Sequence, residues 1–406
     1  MMMEERKPRQ EARKQAPKKR DFRELYYITH VDNLESIVTK GIFSHSTVEK
    51  TGVKYTPIYN KQIVSNRKGI KTPDGRSLWD FANLYFQPRN PMMYKVLVDI
   101  PLDKIATVTV KRSVLSKAAF FTDGNAASSD TTIYPIDRFR REQQVILKQT
   151  DTDWWNSFDG SKRKIMAEVL VPDLIPPEYV DAVLVGKQDV AEPLRNQLYR
   201  LGGYVVWEAP LFFAPTREEQ VTDHLSVMDG DMFFSRMQTL TVSVNCVGVM
   251  GKGLASRAKY QFPDVYVDYQ DKCRSGRLKL GKPYIYKRES SFDEELADEP
   301  KSLEHANART WFILFPTKNH WREMSDIRYI EEGLKWIRDN YREIGITSLA
   351  MPALGCGLGG LDWKDVGPLM CRYLSLDIPV QIYLPTERQV PDKYIKKGYL
   401  LQGRLS

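Results

Sequence analysis

Val244-Asn-Cys-Val-Gly-Val-Met-Gly-Lys-Gly-Leu254 follows a short apolar run and leads into a helix-like one. A second glycine-centred stretch, Pro352-Ala-Leu-Gly-Cys-Gly-Leu-Gly-Gly360, also follows an apolar run. Glycine lets backbone N–H groups approach a phosphate closely at a helix N-terminus. The two stretches therefore read as strand-to-helix loops closing on one diphosphate-bearing ligand.

Outward from these loops, strands and helices alternate. Thr241–Asn245, Thr310–Phe315, Thr347–Met351 and Val380–Leu384 read as strands, and Leu254–Tyr260, Ile327–Glu343 and Trp363–Leu374 as helices. Such alternation predicts a three-layer α/β/α domain with a largely parallel sheet, starting at His224. Within it, Glu289–Asn307 is acidic and poor in apolar residues, which predicts a surface loop. Ala209–Asp223, with Pro210 and Pro215, reads as a linker. The half before it reads as α+β. Tyr26–Ile28, Tyr94–Ile100, Ile105–Val110, Ile165–Val171, Val180–Val185 and Tyr204–Trp207 are expected strands; Val31–Lys40, stopped by Gly41, and Gln188–Leu201 are expected helices.

With 406 residues the chain has room for two or three cores, and its 42% hydrophobic content fits globular structure. No apolar run reaches the length of a membrane span, and Met1–Arg23 is too charged for a secretory signal. Cys246, Cys273, Cys356 and Cys371 have neither CxxC nor zinc spacing and read as reduced thiols of a cytoplasmic protein. Five scattered histidines and no paired acid cluster predict no metal site. The net charge of +8 is concentrated at the start, since residues 1–23 carry nine Lys/Arg against four acids. Residues 1–21 read as a basic, disordered arm, with nucleic-acid affinity through counterion release as the alternative.

Asn245-Cys-Val-Gly-Val-Met-Gly-Lys-Gly253, Phe315-Pro-Thr-Lys-Asn-His-Trp321 and Pro352-Ala-Leu-Gly-Cys-Gly-Leu-Gly-Gly-Leu-Asp-Trp363 together resemble a macrodomain of the ADP-ribosyl-hydrolase branch found in DarG antitoxins. The resemblance covers about residues 224–390, so 224–406 is expected to form one such domain. It implies an ADP-ribose cleft at the strand C-terminal ends, as open α/β sheets place their ligands. Gly251, Lys252 and Gly253 with Gly355, Cys356, Gly357 and Gly359 would hold the diphosphate and distal ribose, and Asn245 would sit near that ribose. Lys318 is the implied catalyst, attacking an opened ribose as a Schiff-base nucleophile or polarising the leaving group. Related hydrolases carry an acid where this chain has Gly359, so acid–base help must come from elsewhere, His320 or water. Cys246 and Cys356 also read as small apolar fillers beside the glycines.

In the first half, Tyr27-Ile-Thr-His-Val-Asp-Asn33, Gly75-Arg-Ser-Leu-Trp-Asp-Phe-Ala-Asn83, Tyr85-Phe-Gln-Pro-Arg-Asn-Pro-Met-Met-Tyr94, Thr122-Asp-Gly-Asn125 and Met166-Ala-Glu-Val-Leu-Val171 resemble DarT. That family comprises NAD-dependent ADP-ribosyltransferases that modify thymidine bases in single-stranded DNA. The resemblance spans residues 22–208 and implies an ADP-ribosyltransferase-like α+β domain. Cleaving the nicotinamide–ribose bond creates an oxocarbenium-like centre that a carboxylate stabilises. The resemblance assigns that carboxylate to Glu168, and a second catalytic role to Arg67 as the cation holding a developing thymine anion. It places His30 and Asn33 at the nicotinamide end of NAD, and Arg89 and Tyr94 in the pocket. Basic residues of 60–74 and Ser161-Lys-Arg-Lys164, with nearby aromatics, suit a groove for single-stranded DNA.

The whole chain thus reads as a fused toxin and antitoxin, one half writing the mark and the other erasing it, with no membrane and no further protein partner implied. RNA or protein acceptors, with a second domain that only binds ADP-ribose, form the alternative. Separate DarG antitoxins carry a further domain that blocks DarT, for which this sequence shows no counterpart, so the sequence leaves direct inhibition of the first half by the second an open question.

Overall fold

The computed structural model describes residues 24–59 and 66–402. The basic arm, Lys61 and Ile63–Ser65 of the segment preceding Arg67 lie outside the described residues.

The strands of the first half are β1 (Glu24–His30), β2 (Ile42–Phe43), β3 (Phe81–Tyr85), β4 (Ile105–Lys111), β5 (Phe120–Thr122), β6 (Ile133–Pro135), β7 (Glu168–Pro172), β8 (Leu174–Ile175), β9 (Val180–Val185) and β10 (Val205–Trp207). Among the described residues they form a sheet in the order β10-β9-β4-β1-β3-β7-β5-β6, with β2 and β8 in a separate ribbon. All pairings in the sheet are antiparallel except β9 with β10. Ile105 to Val110 is buried throughout, which explains the β-branched content of β4: both faces are covered, so side-chain packing favours Val and Ile on each. The pairing of β3 with β7 sets Tyr85 opposite Glu168 at the ends of both strands.

In the second half follow β11 (Arg217–Gln220), β12 (Leu225–Asp229), β13 (Thr239–Asn245), β14 (Tyr284–Tyr286), β15 (Trp311–Lys318), β16 (Leu349–Pro352) and β17 (Val380–Tyr383). Their order is β11-β12-β17-β16-β13-β15-β14, parallel through the centre, with antiparallel edges β11 and β14. Leu240, Val242, Val244, Phe312 and Leu314 share a core with the helices Gly253–Gln261 and Pro263–Arg274. Ile313, Phe315, Leu349, Met351 and Ile382 share another with Ile327–Ile344 and Trp363–Leu374. This is the expected α/β/α arrangement following an α+β domain. The longest helix starts where the Asp326 carboxylate accepts the Arg328 N–H and stops at Gly345, left-handed at φ +89°; these are the cap and stop that glycine and short acids supply.

Three expectations differ from the structure. Tyr94–Ile100 is not a strand: Pro91–Asp99 is a helix, with Asn90 accepting the Met93 N–H as its cap and Pro91 in its first turn. Ala209–Asp223 is not a free linker, because Ala209–Phe212 is a tight turn with Phe212 buried and β11 joins the second sheet. Glu289–Asn307 is not a surface loop; Phe292, Asp293, Leu296 and Ala297 are all buried. Each difference has one cause. The two halves share a continuous core in which Met93, Tyr94, Trp155 and Phe212 pack with Phe233, Phe234, Phe292 and Leu296. Phe213 and Phe234 lie 4.4 Å apart at the joint, with the Arg89 guanidinium over both rings.

Candidate active sites

Glu168 is the first residue of β7, and its side chain is fully buried. The Thr122-Asp-Gly-Asn125 turn shapes its surroundings. Thr122 Oγ1 donates to the Gly124 carbonyl (2.6 Å) and accepts the Glu168 N–H (2.8 Å). A β-carbon at Gly124 would stand 2.3 Å from Arg163 Nη1, so the guanidinium would have to move aside. The Ala126 N–H donates to Glu168 Oε1 (3.0 Å). Arg67 closes the arrangement with a two-pronged contact, Nη2 to Oε2 at 2.8 Å and Nη1 to Oε1 at 3.3 Å. Two sequence-expected catalytic residues, 101 positions apart, thus meet in charge-assisted hydrogen bonds. Burial opposes the charge on Arg67, but Glu168 outweighs it and holds the guanidinium above its ordinary pKa.

The adjoining cavity, about 150 Å³, is walled by Tyr27, Asn33, His45, Tyr55, Tyr59, Arg67, Asn83, Tyr85, Asn125, Asp298 and Glu299. Burial and the charge of Arg67 push His45 down to about 4, so its imidazole is neutral near pH 7. Burial and the nearby Glu168 charge raise the Tyr85 phenol well above its usual range, leaving it a donor. Asn33 reaches this cavity, but its amide is occupied: it donates to the Thr56 carbonyl (2.8 Å) and accepts the Thr56 N–H (2.8 Å), pinning the loop that follows the helix His45–Thr51. His30 is not among the walls; its Nδ1 accepts the Asp32 N–H at 3.1 Å.

Arg89 and Tyr94 are not in the cavity either, contrary to expectation. Arg89 donates to the Pro210 carbonyl and to Asp231 Oδ2 (2.8 Å), bridging the halves. The Tyr94 hydroxyl donates to Asp293 Oδ1 at 2.7 Å, again across the joint. Sequence reasoning missed His45, Tyr59, Asp298 and Glu299. Two tyrosines four residues apart, Tyr55 and Tyr59, were the available signal for the first pair; nothing local announces the second.

The second cavity is larger, about 930 Å³, and lies at the C-terminal ends of β13, β15 and β16. Asn245, Gly251, Lys252, Gly253, Lys318, Gly355, Gly357 and Gly359 all line it. The helix Gly253–Gln261 begins at its edge, presenting first-turn N–H groups to an anion. Asn245 is spent on the loop itself, donating to the Val249 carbonyl (2.6 Å) and accepting from the Val247 N–H (3.0 Å) and the Tyr269 hydroxyl (2.8 Å). Lys318 Nζ donates to the Leu358 carbonyl at 2.9 Å, spanning the two glycine loops. Burial lowers its pKa, against the opposing charge of Glu323.

Cys356 corrects the expected set. It is buried outside the cavity walls, with its thiol donating to the Leu354 carbonyl (3.6 Å) and pushed up to about 12 by burial. The filler reading fits it. His320 likewise stays outside the walls, its Nδ1 accepting the Arg322 N–H. A β-carbon at Gly359 would collide with Ser325 Oγ and stand 2.5 Å from the Gly355 carbonyl oxygen, so this loop has no room for an acid at that position. Two acids missed from the sequence lie at the rim instead. Glu387 sits directly over Gly357, and Asp231 is held by Arg257 and Arg89, each at 2.8 Å.

Among the described residues no group of three or more His, Cys, Asp or Glu is arranged to hold a metal, and no helix is long and apolar enough to cross a membrane.

Against known proteins, residues 26–213 match the family model for DarT, described as an ssDNA thymidine ADP-ribosyltransferase, and residues 242–370 match the macro domain. A DNA ADP-ribosyl transferase–DNA ADP-ribosyl glycohydrolase fusion protein of Thermosipho africanus is 54% identical over 385 residues, covering 94% of this chain and 99% of that one. The solved structure of Thermosipho africanus DarTG in complex with ADP-ribose superposes with a TM-score of 0.87 at 53% identity, covering 94% of this chain and all of that one. A DNA ADP-ribosyl glycohydrolase of Mycobacterium tuberculosis is 38% identical over 159 residues, covering 39% of this chain and 41% of its own length.

Proposed function

This chain belongs to the family of fused DNA ADP-ribosyl transferases and DNA ADP-ribosyl glycohydrolases, and from that premise we propose how its two cavities divide the chemistry. The first half is a DarT-type transferase that moves ADP-ribose from NAD to thymidine in single-stranded DNA, and the second is a DarG-type macrodomain that removes it. The domains are taken as 22–208 and 224–406, the second extended back to residue 217 by the strand 217–220 that pairs with its sheet.

The observation that carries the transferase reading is the buried Glu168 carboxylate gripped by Arg67 beside a neutral His45 and a protonated Tyr85. When the nicotinamide–ribose bond breaks, its electron pair leaves with nicotinamide and positive charge develops at the sugar carbon. Glu168 stabilises that charge and takes the proton from the thymine ring nitrogen as that nitrogen bonds to the sugar. Arg67 offsets the negative charge that builds on the ring. The exposed Lys68, Lys71 and Lys164 offer cations to the DNA backbone, and an unpaired strand exposes the base edge that a duplex hides. The four cysteines are free, in keeping with the bacterial cytoplasm as the site of action.

In the second cavity the glycine loops and the helix N-terminus hold the diphosphate. Lys318, with its proton loosened by burial, attacks C1″ of the opened ribose; the bond to the thymine nitrogen breaks as that nitrogen takes up the amine's proton, and water then cleaves the resulting imine to free ADP-ribose and Lys318. Incubating the protein with labelled NAD and a thymidine-containing oligonucleotide tests both assignments. Glu168→Gln abolishes labelling; Lys318→Ala lets label accumulate while ADP-ribose binding, followed by calorimetry, is retained. Labelling by the Glu168 variant, or unchanged release by the Lys318 variant, sinks the corresponding role.

A further inference from the structure

We propose that the second half has a further function besides hydrolysis: its segment 292–305 inhibits the transferase of the same chain, seating the Asp298 and Glu299 carboxylates in the first cavity where a phosphate-bearing ligand belongs. The inference rests on the first cavity being the transferase site.

The segment is fastened to the first half along its length. Phe292, Leu296 and Ala297 are buried in the shared core. Trp155 Nε1 donates to the Leu296 carbonyl (2.9 Å), and the Asp298 N–H donates to the Pro91 carbonyl (3.1 Å). On the far side, Asp99 Oδ1 accepts the N–H groups of Glu304 (2.9 Å) and His305 (3.1 Å). Two clamps therefore flank the tip, and the tip enters the cavity.

At the tip, Asn125 Nδ2 donates to both Asp298 oxygens at 3.3 Å. Asn125 and Thr122 belong to the turn that builds the Glu168 site, so Asp298 is held by the catalytic framework itself. Burial raises its pKa, against the opposing charges of Lys162, Arg67 and Lys95, and Glu168 adds repulsion. A buried acid facing three cations occupies a place suited to an anionic ligand. Glu299 adopts the left-handed region at φ +47°, a conformation unfavourable for a non-glycine residue that persists only where neighbours enforce it.

Size gives an independent argument. Pockets for ligands of drug size or larger span roughly 300–1,000 Å³. The second cavity, at about 930 Å³, falls within that range, while the first, at about 150 Å³ with Asp298 and Glu299 among its walls, does not. NAD and a nucleotide cannot both enter while these side chains stay in place. Because the plug is part of the same chain, it competes at an effective concentration on the millimolar scale, so even weak intrinsic contacts keep the site mostly shut.

The test uses the full chain carrying Asp298→Asn with Glu299→Gln, which keeps shape and removes charge, and separately Asp298→Ala with Glu299→Ala. Initial nicotinamide release is measured with NAD and a thymidine-containing single-stranded oligonucleotide, a readout the eraser does not reverse. Calorimetric binding of ADP-ribose at the second cavity, equal to that of the unmodified protein, shows that each variant is folded. The expected result is at least a tenfold faster release by the double Ala variant and a smaller rise for the Asn/Gln form. A fall in KM for NAD identifies the diphosphate as the group displaced; a fall in KM for the oligonucleotide identifies the DNA backbone. If both variants match the unmodified protein within twofold while that protein labels DNA, inhibition is overturned and the transferase reading survives. If no form releases nicotinamide or labels DNA, both are overturned.

Discussion

Replacing Arg67 by Leu separates the structural from the catalytic contribution of the Arg67–Glu168 pair. Glu168 has no exposed surface, and three N–H groups satisfy its carboxylate, two from Arg67 and one from Ala126. Arg67→Leu removes two of the three and leaves a buried charge, a change that costs about 3–5 kcal/mol. Glu168→Gln alone keeps a polar partner and leaves Arg67, whose side chain is 19% exposed, in reach of water; its cost is nearer 1–2 kcal/mol. In the double variant no uncompensated charge remains, so its loss falls below that of Arg67→Leu alone, and the coupling is about 2–4 kcal/mol. Urea denaturation followed by tryptophan fluorescence, with Trp155 buried beside the joint, measures all four forms. All three variants fail to release nicotinamide, whatever their stability. Losses that simply add, or an Arg67→Leu cost below about 1 kcal/mol, would show that the pair is not the desolvated clamp described here.

Two other outcomes follow from the geometry. Gly359→Ala pushes a methyl group against Ser325 and the Gly355 carbonyl; overpacking of this kind costs about 1–3 kcal/mol, and calorimetry should find ADP-ribose binding at least tenfold weaker, with nicotinamide release unaffected. His45 is held near 4 in the folded chain against about 6.5 when unfolded, so its contribution is complete above pH 6.5 and fades as pH falls toward 4. The loss between pH 7.5 and 5 is about 2 kcal/mol, and His45→Phe should flatten that part of the urea midpoint–pH curve; an unchanged slope refutes the assignment.

The second domain was largely legible because its parallel strands are covered on both faces and its helices end on local signals, Asp326, Gly345 and Asp362 among them. Its glycine loops could be read for the same reason, since close backbone approach demands that residue. The joint was not legible. Pro91–Asp99 buries residues around much of its circumference, so it lacks the one-sided period that marks a surface helix, and its alternation imitated a strand. Arg89 looked like an anion-binding residue, yet its partners are Pro210 and Asp231. The acidity of 289–307 pointed to solvent because the groups that match it, Tyr94, Asn125, Lys162 and Arg67, stand far off in the chain. No local pattern encodes such pairings.

The common core also bears on how the gene can fail. A nonsense mutation ahead of Phe234 would strip Trp155, Tyr94 and Phe213 of the aromatic ring that all three pack against across the joint. The shortened product would meet the cell's proteases with an apolar wound where the joint had been. Losing the antidote thus tends to discard the poison as well.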